Sequence, residues 1–211
     1  MTASASMEAR TISDVLRTHG AAARERMRPR FDAAHLDYPP RSITLLALKQ
    51  ERRVEVWAQG GASPHLVHTY PILAASGVAG PKLRRGDLQV PEGAYGVLWL
   101  NPNSSYHLSM KVDYPNAFDR RRARAEGRTD LGGDIFIHGR DVSIGCIAVG
   151  DPAIEELFVL ASDVGLPRVK VLIAPRDLRQ HAGRDAAPTG SPWLEELYAA
   201  LRREMAALSV R

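Results

Sequence analysis

Between Gly133 and Asp151 the chain reads GDIFIHGRDVSIGCIAVGD, and this stretch leaves the backbone few choices. Ile135-Phe136-Ile137 is a short apolar run of the kind that fills a buried strand. The glycines and Asp141 signal a tight turn, and Ile144 to Val149 reads as a second short strand or strand-to-loop segment. A strand, a turn and a return bring the two ends of the segment together. Those ends are reactive: His138 closes the first run, and Cys146, the only cysteine of the chain, sits in the second.

An imidazole beside a thiol suits nucleophilic catalysis, because the thiolate attacks and an adjacent base can take its proton. Ionisation is the smaller part of such a rate. Lowering a thiol pKa from its usual value to about 6 gains roughly 30-fold in thiolate, of which about tenfold is lost as falling nucleophilicity. Positioning, proton delivery to the leaving group and an oxyanion hole must supply the rest. Gly145, just before the thiol, would let backbone N–H groups approach a developing oxyanion closely. A lone cysteine among isoleucines and alanines is also an ordinary buried small residue, so the residues alone leave both readings open.

The pattern His138-Gly139 followed by Ser143-x-Gly145-Cys146 resembles the signature of the L,D-transpeptidase (YkuD-domain) family. The likeness extends through Ser76-Gly77, Gly80-Pro81-Lys82-Leu83, Gly86-Asp87, Pro91-Glu92-Gly93-x-Tyr95, Asn101-Pro102-Asn103-Ser104, Tyr114-Pro115-Asn116 and Gly132-Gly133-Asp134, all similar to the YafK-like branch. It covers roughly residues 43–177. The resemblance implies a mainly β, α+β fold: a YkuD-like β-sandwich or barrel with an N-terminal helix, a helix after the cysteine and a C-terminal helix. It makes Cys146 the nucleophile and His138 the base and later the acid, oriented by the carbonyl of Gly139. Gly145, Ser143 and Ile144 then fall on the oxyanion or substrate side. Two positions depart from the commoner pattern: Ile144 stands where many members carry His, and Ala148 where many carry Arg.

The implied substrate is a peptidoglycan stem peptide, attacked at the L-centre of diaminopimelate to give a Cys146 thioester. For the YafK-like branch the expected outcome is hydrolysis of a lipoprotein–peptidoglycan linkage. The alternative is transpeptidation, which forms cross-links or attaches the lipoprotein. No cofactor is expected. A zinc hydrolase with His107, His138 and Cys146 as ligands is a further alternative, although their spacing matches no known metal motif. Arg120-Arg121-Arg122 with Arg124 makes a poor nucleic-acid signal, because no aromatic platform is interleaved with it. The N-terminus lacks a basic-then-apolar signal, so the expectation is a periplasmic protein whose export segment lies outside this sequence.

Periodicity sets the rest. A helix is expected from Glu8 to Arg30, stopping near Pro29. Strands are expected at residues 43–48 and 54–58 as a hairpin, then at 65–75, 94–100, 106–112 and 169–174. In the 106–112 strand, His107, Ser109 and Lys111 share a polar face that could line a substrate groove, with His107 touching substrate. The Gly- and Pro-rich loop 76–92 is long enough to be functional. Asp151-Pro152 reads as the N-cap and first position of a helix stopped by Gly165. Residues 176–192 read as loop, and 193–208 as an amphipathic helix. This divides the chain into an N-terminal helical extension (1–42), a catalytic unit (43–177) and a C-terminal loop and helix (178–211).

Overall fold

The computed structural model describes residues 9–179 and 192–209. Among these, four α-helices surround nine strands: α1 (Ile12–Ala33), β1 (Ser42–Leu48), β2 (Arg53–Gln59), β3 (Pro64–Pro71), β4 (Ala74–Ala75), β5 (Gly93–Asn101), β6 (Ser109–Val112), α2 (Ala117–Ala125), β7 (Phe136–His138), β8 (Ile147–Ala148), α3 (Asp151–Val164), β9 (Val169–Ala174) and α4 (Pro192–Leu208). The strands form one curled mixed sheet, a half-barrel, in the order β3-β2-β1-β9-β5-β6-β7-β8-β4. Two pairs are parallel, β1 with β9 and β7 with β8.

The centre of the sheet explains the continuous apolar runs of β1 and β9. Strand residues alternate between faces, and both faces here are covered. Leu45, Ala47, Val171 and Ile173 enter a core with α1 and α3, whereas Leu46, Leu48, Leu172 and Ala174 enter a second core beneath α4. The helices supply matching stripes: Met27 and Phe31 from α1, Leu157, Phe158 and Ala161 from α3, and Leu197, Leu201 and Met205 from α4. The expected 176–192 loop lies mostly outside the described residues. No described helix is long and apolar enough to cross a membrane.

Helix α1 and the expected 65–75 strand differ from the sequence expectation. Helix α1 runs through Pro29 to Ala33. A proline removes one intrahelical N–H bond. Packing beyond it outweighs that loss: Phe31 is fully buried, and Arg30 reaches the buried Glu156 on α3 at 2.5 Å. Glu156 also accepts from Arg26 at 2.5 Å and from the Tyr70 hydroxyl, joining α1, α3 and β3. Burial raises the pKa of the Glu156 carboxyl, but those three donors outweigh it and hold the group below its usual range. The expected 65–75 strand is split into β3 and β4, which lie on opposite margins of the sheet.

Candidate active site

Strand β7 lies between β6 and β8, and its register decides what meets what. Asn101, Ser109, His138 and Ala148 pair across β5, β6, β7 and β8 in one row. Trp99, Lys111 and Phe136 form the next row. Because Ile137 pairs with Ile147, Cys146 continues this second row beside Phe136. Registered residues face the same way and side chains repeat every second residue. His138 and Cys146 are therefore diagonal neighbours on one face, with Ile137 and Ile147 buried on the other. They share a cavity of about 230 Å³ with Asn101, Asn103, Ser104, Ser105, Tyr106, Ser109 and Phe136.

The imidazole is held in one tautomer. The Nδ1–H of His138 donates to the carbonyl of Gly139 at 2.7 Å, which leaves Nε2 with the lone pair. The Tyr106 ring lies 4.5 Å from the imidazole, tilted by 35°. Gly139 has no room for a side chain: a Cβ there would sit 2.5 Å from the Asp151 carboxylate and 2.7 Å from the Tyr106 carbonyl. Asp151 is therefore not the N-cap, a position taken by Gly150 at φ 85°. Its carboxylate instead accepts the Arg140 N–H at 2.7 Å, securing the chain just after His138.

The turn before the thiol is closed by hydroxyls. The Ser143 hydroxyl accepts the Cys146 N–H at 3.0 Å and donates to the Cys146 carbonyl at 2.7 Å. The Gly145 N–H donates to the Ser76 hydroxyl at 2.6 Å. Gly145 stands at φ +86°, in the left-handed region where a side chain is strained, which accounts for glycine here. Both N–H groups next to the sulfur thus have internal acceptors, and either hydroxyl would have to yield for them to hold an oxyanion. Ile144 projects from the turn, 76% exposed, where a bound ligand can meet it.

Both reactive groups rest neutral. Burial pushes the Cys146 thiol above its ordinary value of 9.0, against the Phe136 backbone hydrogen bond and the Lys111 charge that lower it. The thiol donates to the Asp134 carbonyl at 3.5 Å. Burial likewise pushes His138 below 6.5, although its bond to Gly139 opposes this. With the thiol pushed up and the imidazole pushed down, the resting pair is thiol plus imidazole, so a nucleophilic sulfur here would have to lose its proton during the attack rather than before it. Alkylation of Cys146 by iodoacetamide is expected to accelerate through pH 9 without a plateau at neutral pH. A plateau spanning pH 6–8 would reveal a preformed thiolate–imidazolium pair instead. Turnover should fall on the acid side only below pH 6.5, where His138 becomes protonated.

The sequence reading placed His107 with Ser109 and Lys111. The structure keeps Ser109 and Lys111 on one face and removes only His107: Ser109 lines the cavity, and Lys111 lies in the neighbouring row with its ammonium 4.7 Å above the Phe136 ring and 2.6 Å from Asp134. His107 turns away, at φ 72°, to bond Glu155 of α3 at 3.0 Å. This also removes the zinc alternative, since His107 is not brought to His138 and Cys146. The missed groove residue is Tyr106, assigned to a strand that begins only at Ser109. The turn-forming run Asn101-Pro102-Asn103-Ser104-Ser105 could have signalled that the strand starts late.

Residues 42–173, well over half of the chain, match the family profile of the YkuD L,D-transpeptidase catalytic domain. The chain belongs to the YkuD L,D-transpeptidase family. Over 138 residues it is 37% identical to YafK of Escherichia coli (strain K12), an L,D-transpeptidase by name, and equally to YafK of Escherichia coli O157:H7. Each match covers 63% of this chain and 54% of the relative, so the chain spans about half the length of the curated relatives it matches. The crystal structure of the helical cell shape determining protein Pgp2 from Campylobacter jejuni superposes with a TM-score of 0.53 at 24% identity, over 64% of this chain and 48% of that one, and shows the fold. The YkuD span runs from β1 almost to the end of β9 and includes His138 and Cys146, whereas α1 and α4 lie outside it.

Proposed function

We propose that this YkuD-family enzyme opens and transfers peptide bonds of peptidoglycan stem peptides through a thioester on Cys146, and that it works in the periplasm. The observation that carries the reading is the strand register that sets a sole cysteine and a tautomer-fixed histidine on one face of an open groove. Sγ attacks the carbonyl carbon at the L-centre of diaminopimelate while Nε2 of His138 takes the thiol proton. The tetrahedral intermediate collapses, the C–N bond breaks, and His138 returns the proton to the departing amine. Water, activated by the same Nε2, then attacks the thioester carbonyl and releases a carboxylate and the free thiol. We take water as the acceptor and a lipoprotein–peptidoglycan linkage as the substrate, the outcome that the sequence resemblance to the YafK-like branch implies. An amine acceptor would give transpeptidation by the same first half-reaction.

The test uses purified lipoprotein-linked and tetrapeptide muropeptides, with intact-protein and product mass spectrometry. The expected result is an acyl adduct on Cys146 and two products whose summed mass exceeds that of the substrate by one water. Because the chain has one cysteine, iodoacetamide blocks a single thiol, and it should stop turnover completely. An adduct on another residue, or turnover that survives alkylation, defeats the thioester reading. Product joined to a second stem peptide assigns transpeptidation.

A further inference from the structure

Outside the groove, three donor groups from distant parts of the chain converge. His19 of α1, His107 before β6 and Glu155 of α3 bring ligand atoms within 4.8 Å of one another. One carboxylate oxygen, Oε1 of Glu155, lies 3.2 Å from Nδ1 of His19 and 3.0 Å from Nε2 of His107. Zinc bonds of about 2.0–2.1 Å at tetrahedral angles span a donor–donor edge of about 3.3–3.4 Å. The two edges that meet at Glu155 are close to that length, and the third, between the imidazole nitrogens, is within 4.8 Å. All three side chains are about one-fifth exposed, wet enough for an ion to enter and sheltered enough to hold it. The imidazole rings stand edge-on, 5.3 Å apart, so both can direct a nitrogen toward one point.

We infer that His19, His107 and Glu155 form a site for one zinc-class divalent ion, separate from the catalytic pair. Two imidazoles and a carboxylate are borderline donors that suit zinc, and three protein ligands leave a fourth position for water. The backbone supports this. His107 holds a left-handed conformation, which costs energy and persists only where its surroundings impose it. Its carbonyl accepts from Arg10 at 3.2 Å, and Asn103 in the same loop exchanges two hydrogen bonds with the Arg10 backbone. The opposing charges are Arg26, which lies 3.3 Å from the other carboxylate oxygen of Glu155, Oε2, and Arg10, whose guanidinium bonds the His107 carbonyl. An ion here ties the loop to α1 and α3. That loop carries Tyr106, which packs on His138, and Ser104 and Ser105 of the groove wall.

The full chain, freed of metal and purification tag and with Cys146 alkylated to remove a competing sulfur ligand, is titrated with zinc chloride by calorimetry. One zinc per chain is expected, with a rise in melting temperature. His19→Ala, His107→Ala and Glu155→Gln should each weaken binding by at least about tenfold. His19→Gln keeps most of the side-chain volume and should weaken binding alike if the alanine variants melt. Cobalt(II) should give d–d absorption without a thiolate charge-transfer band in the unalkylated chain. Absence of stoichiometric binding, binding equally tight in all the variants, or binding that requires the free thiol overturns the site.

Discussion

Cys146→Ala, His138→Ala and the double variant are expected to share one residual rate, at least roughly 10⁴-fold below the parent. In the proposed mechanism the two side chains act on a single proton. Without His138 the thiol stays protonated, since burial already holds it above 9.0, and no acid remains to protonate the leaving amine. Without Cys146 the imidazole has nothing to activate except water. Groups that work as one unit give non-additive losses, so the double variant should be no worse than either single one. Steady-state turnover of a defined muropeptide, with circular dichroism to confirm folding, reads this directly. A double variant reduced by the product of the two single losses would mean that the groups contribute independently. A His138→Ala enzyme within tenfold of the parent would remove the imidazole from the proton path.

Glu92→Ala is expected to destabilise the fold by about 3–5 kcal/mol, the usual cost of stripping one partner from a buried ion pair. For a chain of this size that is a fall of roughly 6–20 °C in Tm. Glu92 has no exposed side-chain surface, and Lys49, its partner at 2.9 Å, is only 9% exposed. The carboxylate also accepts from the Gly80 N–H at 2.9 Å and the Tyr198 hydroxyl at 2.7 Å. It therefore joins the end of β1, the 76–92 loop and α4 at one point. Removal takes the counter-charge from a buried ammonium, which keeps only the Gly80 and Val90 carbonyls, and takes one acceptor from the Gly80 N–H and the Tyr198 hydroxyl. Turnover should fall too, because Ser76 in that loop accepts the Gly145 N–H beside the nucleophile. Pairing the change with Lys49→Met should recover part of the stability, since the stranded charge is gone. A Tm unchanged within 2 °C in Glu92→Ala would show that the network contributes little.

Much of the fold was legible because strand and helix periods are local. The 169–174 strand was read with its bounds correct, and the helix after the cysteine was read from Ile154, Leu157, Phe158, Ala161 and Val164. Errors arose where distant contacts overrode local signals. Pro29 is a helix breaker on its own, and the Arg30–Glu156 pair and the burial of Phe31 carry the helix past it. The alternation from Tyr106 to Val112 is real as a pattern, but the positive φ of His107 breaks it and sends that imidazole to Glu155. Nothing in the Gly- and Pro-rich character of the 76–92 loop shows that its Lys82 is buried against Asp87, at 2.6 Å.

The amino-acid sequence by itself determined that a short apolar strand ends in an imidazole and returns through a glycine turn to a sole thiol. Strand propensity, turn residues and chain connectivity act over a few residues, so they can be read in one dimension. Only the tertiary structure decided the environment of that pair. Tyr106 against His138, Asp151 against Gly139 and Ser76 against Gly145 are contacts between separate segments, the last spanning 69 positions. The burial that keeps both reactive groups neutral comes from the same packing, and no local pattern encodes it.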